Sequence, residues 1–368
     1  MQLHHLWLTD FRSWATAELV LADGLTVVRG PNGAGKTNLL EAVGYAATLS
    51  SFRGAAVETL VREGCERAVV RAEGRRGGRD LLIEAEVKPR GRGRVTLNRH
   101  AVRRAADLLQ AFRVSVFSPD DLALVKGPPA GRRRWLDDTL SSLHPRNDAL
   151  RRDLERVVRQ RTTLLAQAAG RLTPEVATTL DVWDAKLAEL GDALAAARAG
   201  LLGRLESLVA KVYVELAGAA PQGPAPGSVT LAYEAPWRQQ GLAAALAAAR
   251  GEELRRGVSL VGPHRDDVVL AIGRLPARTH ASQGEQRTLA LALRLAAHQV
   301  LADDAGEPPV LLLDDVFSEL DAARSQSLLE HLPPGQALLT TTGAVPEGAA
   351  VDRMVDVDGD LLVGGGQA

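Results

Sequence analysis

The chain has 368 residues, 46% of them hydrophobic and 24% charged, which is the balance of a folded globular protein with room for one large domain and a smaller companion. No apolar run approaches the ~20 residues that cross a bilayer. The first ten residues alternate like a strand, so no secretory leader is expected, and a single cysteine, Cys65, excludes an internal disulfide and fits a reducing, cytoplasmic setting. The net charge of −1 conceals two arginine-rich stretches, 71–104 and 132–161, which suit either a polyanionic partner or a solvated surface.

In chain order, the alternation at 3–8 predicts a strand, and 18–21 and 25–30 predict two more, the last fully apolar up to its turn. Residues 36–47 carry apolar side chains at helical spacing. Strands are predicted at 68–73, 81–87 and 94–97, parted by Gly/Arg turns such as 74–79. After Pro119 the character changes, and 132–216 is almost entirely helix-forming. Residues 170–174 interrupt it, with Gly170 at a helix end, Thr173 as N-cap and Pro174 at the first helical position. That predicts an antiparallel hairpin with arms of ~40 residues, roughly 60 Å at 1.5 Å per residue. A Pro/Gly linker at 221–228 closes the segment. Strands are then predicted at 229–233, 258–261, 268–272, 310–313 and 337–341, and helices at 284–301 and 325–331. The expected division is an N-terminal half-core at 1–118, a helical insertion at 119–228 and a C-terminal half-core at 229–368.

Three motifs carry chemistry. GPNGAGKT at 30–37 satisfies the phosphate-loop pattern between an apolar strand and a helix. The backbone N–H groups of Gly30, Pro31-Asn32, Gly33, Ala34 and Gly35 are expected around phosphates (Pro31 lending only its shape), with Lys36 on the β- and γ-phosphates and Thr37 on Mg²⁺. VLLLDD at 310–315 reads as a buried parallel strand whose carboxylates emerge at its C-terminal end. Asp314 is expected to hold Mg²⁺ through water, and Asp315 to orient or deprotonate the attacking water. Alone, this strand could equally end in a solvated acidic turn. SQGEQ at 282–286 opens a long helix, where Ser282, Gly284 and Gln286 can meet a γ-phosphate at a helix N-terminus. It looks like the ABC signature, with Ala281 in place of the usual leucine and Gln283 and Glu285 as variants; an ordinary capped helix start is the bland alternative. Ser318 and Asp321, in SELD at 318–321, then look like a D-loop.

With these motifs in order, the chain resembles the RecF family of bacterial recombination and repair ATPases, relatives of the SMC heads. The most specific residues are PDDLALVKGPPAGRRRWLD at 119–137, GPHRDD at 262–267 and ASQGEQRTLALALRLA at 281–296, joined by Phe11-Arg12 and by Ser51, Phe52 and Arg53. The resemblance implies an α/β, ABC-type P-loop ATPase head with mixed β-sheets and an inserted helical hairpin. It implies ATP and Mg²⁺ as ligands, with Arg12 among the nucleotide contacts. It implies an ATP-dependent homodimer, its two sites shared between protomers, that clamps double-stranded DNA and junctions, with single-stranded DNA nearby. RecR, RecO and RecA are the implied partners, RecA loading and the SOS response the implied setting, and a weak DNA-stimulated ATPase the implied activity.

Some positions depart from wider ABC patterns. Ser115 stands where a Q-loop glutamine is sought, and Thr341 or Thr342 where a histidine switch is common. Asp315 is one methylene shorter than the usual catalytic glutamate, so slow hydrolysis is expected. His264 has no second ligand at metal spacing, and Arg265 and Asp266 suit a hydrogen-bonded turn or an inter-lobe contact. Arg132, Arg133 and Arg134 could grip DNA phosphates or pair with Asp137 and Asp138 on neighbouring turns. The five tryptophans are scattered and read as core or interface anchors. A transporter ATPase subunit and a long-coiled-coil head are the competing classes. The Q-loop and histidine departures weigh against the first, and the short insertion against the second.

Overall fold

The computed structural model describes residues 1–91, 93–102, 105–217, 229–318, 320–358 and 361–364; Arg92, Arg103, Arg104, Glu319 and the 221–228 linker lie outside them. The chain divides into two compact units. The first comprises Met1–Leu122, Lys211–Pro226 and Ser282–Ala368, and the second Ala123–Ala210 and Gly227–Ala281.

The first unit is built on two six-stranded sheets. One is antiparallel, in the order Trp14–Val20, Gln2–Phe11, Ala68–Arg76, Arg79–Val87, Val95–Leu97, His100–Ala101. Its strands alternate inward apolar and outward polar residues, as a sheet with one covered face requires. The other sheet runs Leu361–Gly364, Arg353–Asp358, Leu25–Arg29, Ala337–Thr341, Val310–Leu313, Val114–Phe117. It is parallel except at Leu361–Gly364. Val310–Leu313 and Ala337–Thr341 are buried along their whole length, which explains their unbroken apolar sequence up to the threonines. The buried Gln336 side chain joins the sheets, accepting from Leu3 N–H at 2.7 Å and donating to Leu3 O at 2.7 Å and Ala22 O at 2.6 Å.

The second unit holds the helices Pro129–Leu143, Pro145–Ala168, Leu242–Arg256 and most of Pro174–Ala217. The hairpin turn falls at 169–173 as expected, but the first arm is broken at His144. Pro145 has no N–H to continue the preceding helix and starts a new one, with the His144 side chain accepting from Arg146 N–H. The arms are therefore 24 and 44 residues, not two of equal length.

Residues 229–281 depart from the expected boundary, since they group with the hairpin. Val229–Glu234, Asp267–Ile272 and Leu275–Pro276 form a separate three-stranded antiparallel sheet that pairs with neither six-stranded one. The strand expected at 258–261 does not form. Its backbone groups are taken by side chains: Ser259 O accepts from Arg265 Nη2 at 2.7 Å, and Leu260 N–H donates to Glu253 Oε1 at 2.7 Å. Asp266, half of the expected turn, accepts from Tyr233 Oη at 2.5 Å and Trp237 Nε1 at 2.7 Å.

Candidate functional site

The phosphate loop leaves the carboxyl end of Leu25–Arg29 and enters the helix Lys36–Thr48. Gly35 has φ +87°, and a Cβ there would stand 2.9 Å from Trp14 Nε1, so only glycine fits. Trp14 Nε1 donates to Gly35 O at 3.1 Å, which ties the loop to the antiparallel sheet. Lys36 Nζ donates to Gly30 O and Pro31 O, both at 2.8 Å, so the ammonium lies folded back across the loop. Burial lowers its pKa from the usual lysine value, against the raising pull of Asp315 and Asp314.

The acidic strand Val310–Leu313 delivers Asp314 beside this helix. Asp314 Oδ1 accepts from Thr37 Oγ1 and from Thr340 Oγ1, both at 2.8 Å. Burial raises the Asp314 pKa, opposed by those two hydroxyl donors and supported by neighbouring Asp315. Asp315 has φ +45°, an uncommon conformation for a non-glycine residue. Its N–H donates to Thr340 Oγ1 at 3.0 Å and its carbonyl accepts from Ser318 N at 3.1 Å and Ser318 Oγ at 2.8 Å. Its Oδ1 is buried without a hydrogen-bond partner. Lys36, Thr37, Asp314 and Asp315 thus meet at the carboxyl ends of two parallel strands that flank Ala337–Thr341.

A nucleotide with Mg²⁺ fits this donor set. Thr37 and Asp314 offer only oxygens, the ligands of a hard cation, and no cluster of His, Cys, Asp or Glu among the described residues could cage a metal by itself. A cation completed by water and phosphate is what such a sparse set holds.

Arg12, expected among the nucleotide contacts, is engaged with the loop helix. Its guanidinium is bidentate to Glu41 in the middle of the loop helix, at 2.7 Å for both bonds, and also donates to Thr59 O at 2.9 Å. Glu41 is fully buried and takes Ser51 Oγ as well, with Arg53 3.9 Å away. Arg12 therefore anchors the helix behind the loop.

Ser282 caps the helix Gln283–Ala305 through a capping box with Glu285: Ser282 N–H donates to Glu285 Oε2 at 2.7 Å, and Ser282 Oγ accepts from Glu285 N–H at 3.3 Å. Gln286 is buried and Ser282 exposed. A Cβ at Gly284 would lie 2.5 Å from Arg324 Nη1, so the guanidinium rests on the signature glycine. Arg324 Nη1 also donates to Asp321 Oδ2 at 3.1 Å, and Asp321 caps Ala322–Glu330. Among the described residues no hydrogen bond joins Ser282 or Gly284 to the phosphate loop of the same chain.

Two ABC landmarks shift. Ser115 lies inside Val114–Phe117, paired with Leu311, and it is Phe117 O at the end of that strand that accepts from Asp314 N–H at 2.9 Å. Of the threonines at 340–342, it is Thr340 that faces the acidic pair, while Thr341 Oγ1 accepts from Gly343 N–H at 3.2 Å.

In the second unit, Arg132 is corrected as a DNA contact. It is 5% exposed, bidentate to Asp267 at 2.8 and 2.9 Å, and donates to Leu124 O and Gly127 O. Arg133 Nη1 donates to Asp266 O at 2.6 Å, and only Arg134 of the three is exposed. Asp137 pairs with Arg198, at 2.8 Å through both oxygens, and not with the arginine triplet.

The comparisons bear on these features together. The family model of the RecF/RecN/SMC N-terminal domain matches residues 2–341. The DNA replication and repair protein RecF of Streptomyces avermitilis is 45% identical over 375 residues, covering 98% of this chain and 96% of that protein. RecF of Frankia alni is 46% identical, covering 98% and 99%. The chain belongs to the RecF family. A solved structure of the recombination mediator protein RecF with ATP, in the RecFOR pathway, matches at TM-score 0.87 and 27% identity, covering 98% of this chain and 97% of that one. An Smc head bound to the C-terminal winged-helix domain of ScpA matches at TM-score 0.60 and 17% identity, covering 99% and 97%, and shows the shared fold. The architecture is thus an α/β ABC-type ATPase head with mixed sheets and a helical hairpin inserted.

Proposed function

We propose that this chain is an ATP-dependent DNA replication and repair protein that works as a dimeric switch on DNA. The observation that carries the reading is the cluster Thr37–Asp314–Thr340, with Lys36 and Asp315 beside it, in a chain of the RecF family. The loop N–H groups and Lys36 bind the ATP phosphates, Thr37 and Asp314 hold Mg²⁺, and Asp315 orients the attacking water and accepts its proton. When bound, Mg²⁺ supplies charge neutralisation of the phosphate oxygens. Lys36 first exchanges its two carbonyl partners for phosphate oxygens.

In this reading Ser282, Gly284 and Gln286 meet the γ-phosphate of a second copy, with Ser318 and Asp321 pairing across the dimer. ATP then closes the two copies around double-stranded DNA through phosphate contacts, without base readout. Hydrolysis removes the γ-phosphate and releases the clamp. The activity is a weak, DNA-stimulated ATPase in the cytoplasm. RecR, RecO and RecA act in the same pathway, with junctions and single-stranded gaps as substrates, RecA loading as the outcome, and support of the SOS response. No helix of the described residues is long and apolar enough to cross a membrane.

Sedimentation of wild-type and Lys36→Met protein, with and without ATP and duplex DNA, tests this. Wild type should dimerise only with ATP and bind duplex in a salt-sensitive way, and the variant should do neither. Association without ATP, or DNA binding indifferent to salt, overturns the clamp.

A further inference from the structure

We propose that Thr340 is a positioning residue for ATP hydrolysis, whose hydroxyl fixes both members of the acidic pair before nucleotide arrives. The proposal rests on the ATPase reading above and adds a residue that no sequence motif marks.

A threonine hydroxyl has one proton to give and lone pairs to accept with. Here the proton goes to Asp314 Oδ1 at 2.8 Å, and a lone pair takes the Asp315 N–H at 3.0 Å. Thr340 is fully buried, so no water competes for either bond. It sits in Ala337–Thr341, between the strand that ends in the phosphate loop and the strand that ends in Asp314.

The two bonds have separate consequences. Asp314 Oδ1 has two hydroxyl partners, Thr37 and Thr340. Thr37 has a second task toward a cation, whereas Thr340 has none, so Thr340 is the fixed partner that sets the carboxylate's rotation. The bond to Asp315 holds a backbone that would otherwise leave φ +45°. The Ser318 contacts to Asp315 O pin the other side of the same residue. Between these pins the side chain is left with a buried Oδ1 that nothing in the protein satisfies, an acceptor held open for the attacking water. Aspartate is shorter than the usual glutamate, so its carboxylate reaches less far and its backbone must be placed more tightly. Thr340 provides that placement.

The test uses the full chain carrying Thr340→Val, which keeps the β-branched shape but removes both bonds, and Thr340→Ser, which keeps the hydroxyl. Three quantities are measured: affinity for a fluorescent ATP analogue with Mg²⁺, dimerisation with a non-hydrolysable analogue, and single-turnover hydrolysis. Thr340→Val should hydrolyse roughly 100-fold more slowly, the scale of a small misplacement of a catalytic group, while affinity and dimerisation stay within about 3-fold of wild type. Thr340→Ser should hydrolyse within about 3-fold of wild type. Wild-type hydrolysis by Thr340→Val, a matching loss of affinity and rate, or failure of Thr340→Ser to restore turnover overturns the proposal. If Thr340→Val does not fold, Thr340→Ala against Thr340→Ser makes the same comparison. Absence of hydrolysis in the wild type would instead sink the ATPase reading, an outcome independent of position 340.

Discussion

The phosphate-loop site and the arginine-rich helical unit use charge in opposite ways. At the loop, few charged groups converge and Asp315 Oδ1 remains open, so the site is prepared for something outside the chain. In the helical unit, three arginines, Arg132, Arg161 and Arg198, face inward. Arg161 is fully buried and donates to Asp184 and Glu253 at 2.6 Å and to Ser259 Oγ at 3.0 Å. Arg198 and Arg132 are likewise consumed by Asp137 and Asp267. Clustered arginine in a sequence is therefore not in itself a nucleic-acid surface, because a carboxylate distant in the chain can neutralise it.

This contrast can be broken or sharpened by four tests, taken from the largest effect to the smallest. Asp315→Asn should lower single-turnover ATP hydrolysis about 10²- to 10⁴-fold, the usual contribution of a general base, yet keep ATP-driven dimerisation by sedimentation. A variant that no longer dimerises would show that Asp315 serves assembly, not turnover.

Arg161→Met should cost about 3–5 kcal/mol in urea unfolding of the full chain, since Glu253 is left buried and uncompensated. An unchanged midpoint would mean the buried network contributes nothing to the hairpin's stability.

Each unit also buries a histidine, His298 in the helix Gln283–Ala305 and His264 in the helical unit, and burial pushes both pKa values down to about 4. Their unfolded forms bind protons near the ordinary histidine value of ~6.5 while the folded forms do not. The unfolded state therefore binds more protons in this window, and stability falls as pH drops from about 6.5 toward 4. His298→Leu should reduce the slope of unfolding free energy against pH in that window by up to about 1.4 kcal/mol per pH unit. An identical slope in the variant would place the titration elsewhere.

Arg134→Ala should leave the melting temperature nearly unchanged and lower the salt dependence of duplex binding by about one phosphate contact. Arg132→Ala, by contrast, should destabilise the fold. If both variants behave alike, the division between outward and inward arginines fails.

What the sequence disclosed follows the same line. The phosphate loop, the acidic strand and the signature helix were legible because each is a short segment whose residue spacing sets its geometry. Their meeting point could be inferred because parallel strands end together. The partners of Arg12, Arg132 and Arg198 could not be read, since each lies on a different element: Glu41, Asp267 and Asp137. Thr340 was hidden by its neighbours, because three threonines in a row mark a strand end without saying which one points at the carboxylates. The strand expected at 258–261 failed for the complementary reason: its apolar pattern was right, but the side chains of Glu253 and Arg265 took its backbone hydrogen bonds.

The guanidinium of Arg324 rests on Gly284 and is held by Asp321, so one side chain is a pin between two helix starts that are separated along the chain by the whole acidic strand. Pulling Asp321 away drags the pin off the glycine, and lifting the glycine's helix strains the pin against Asp321. Gly284 and Asp321 are thus coupled through one side chain, and a shift at either helix start is felt at the other.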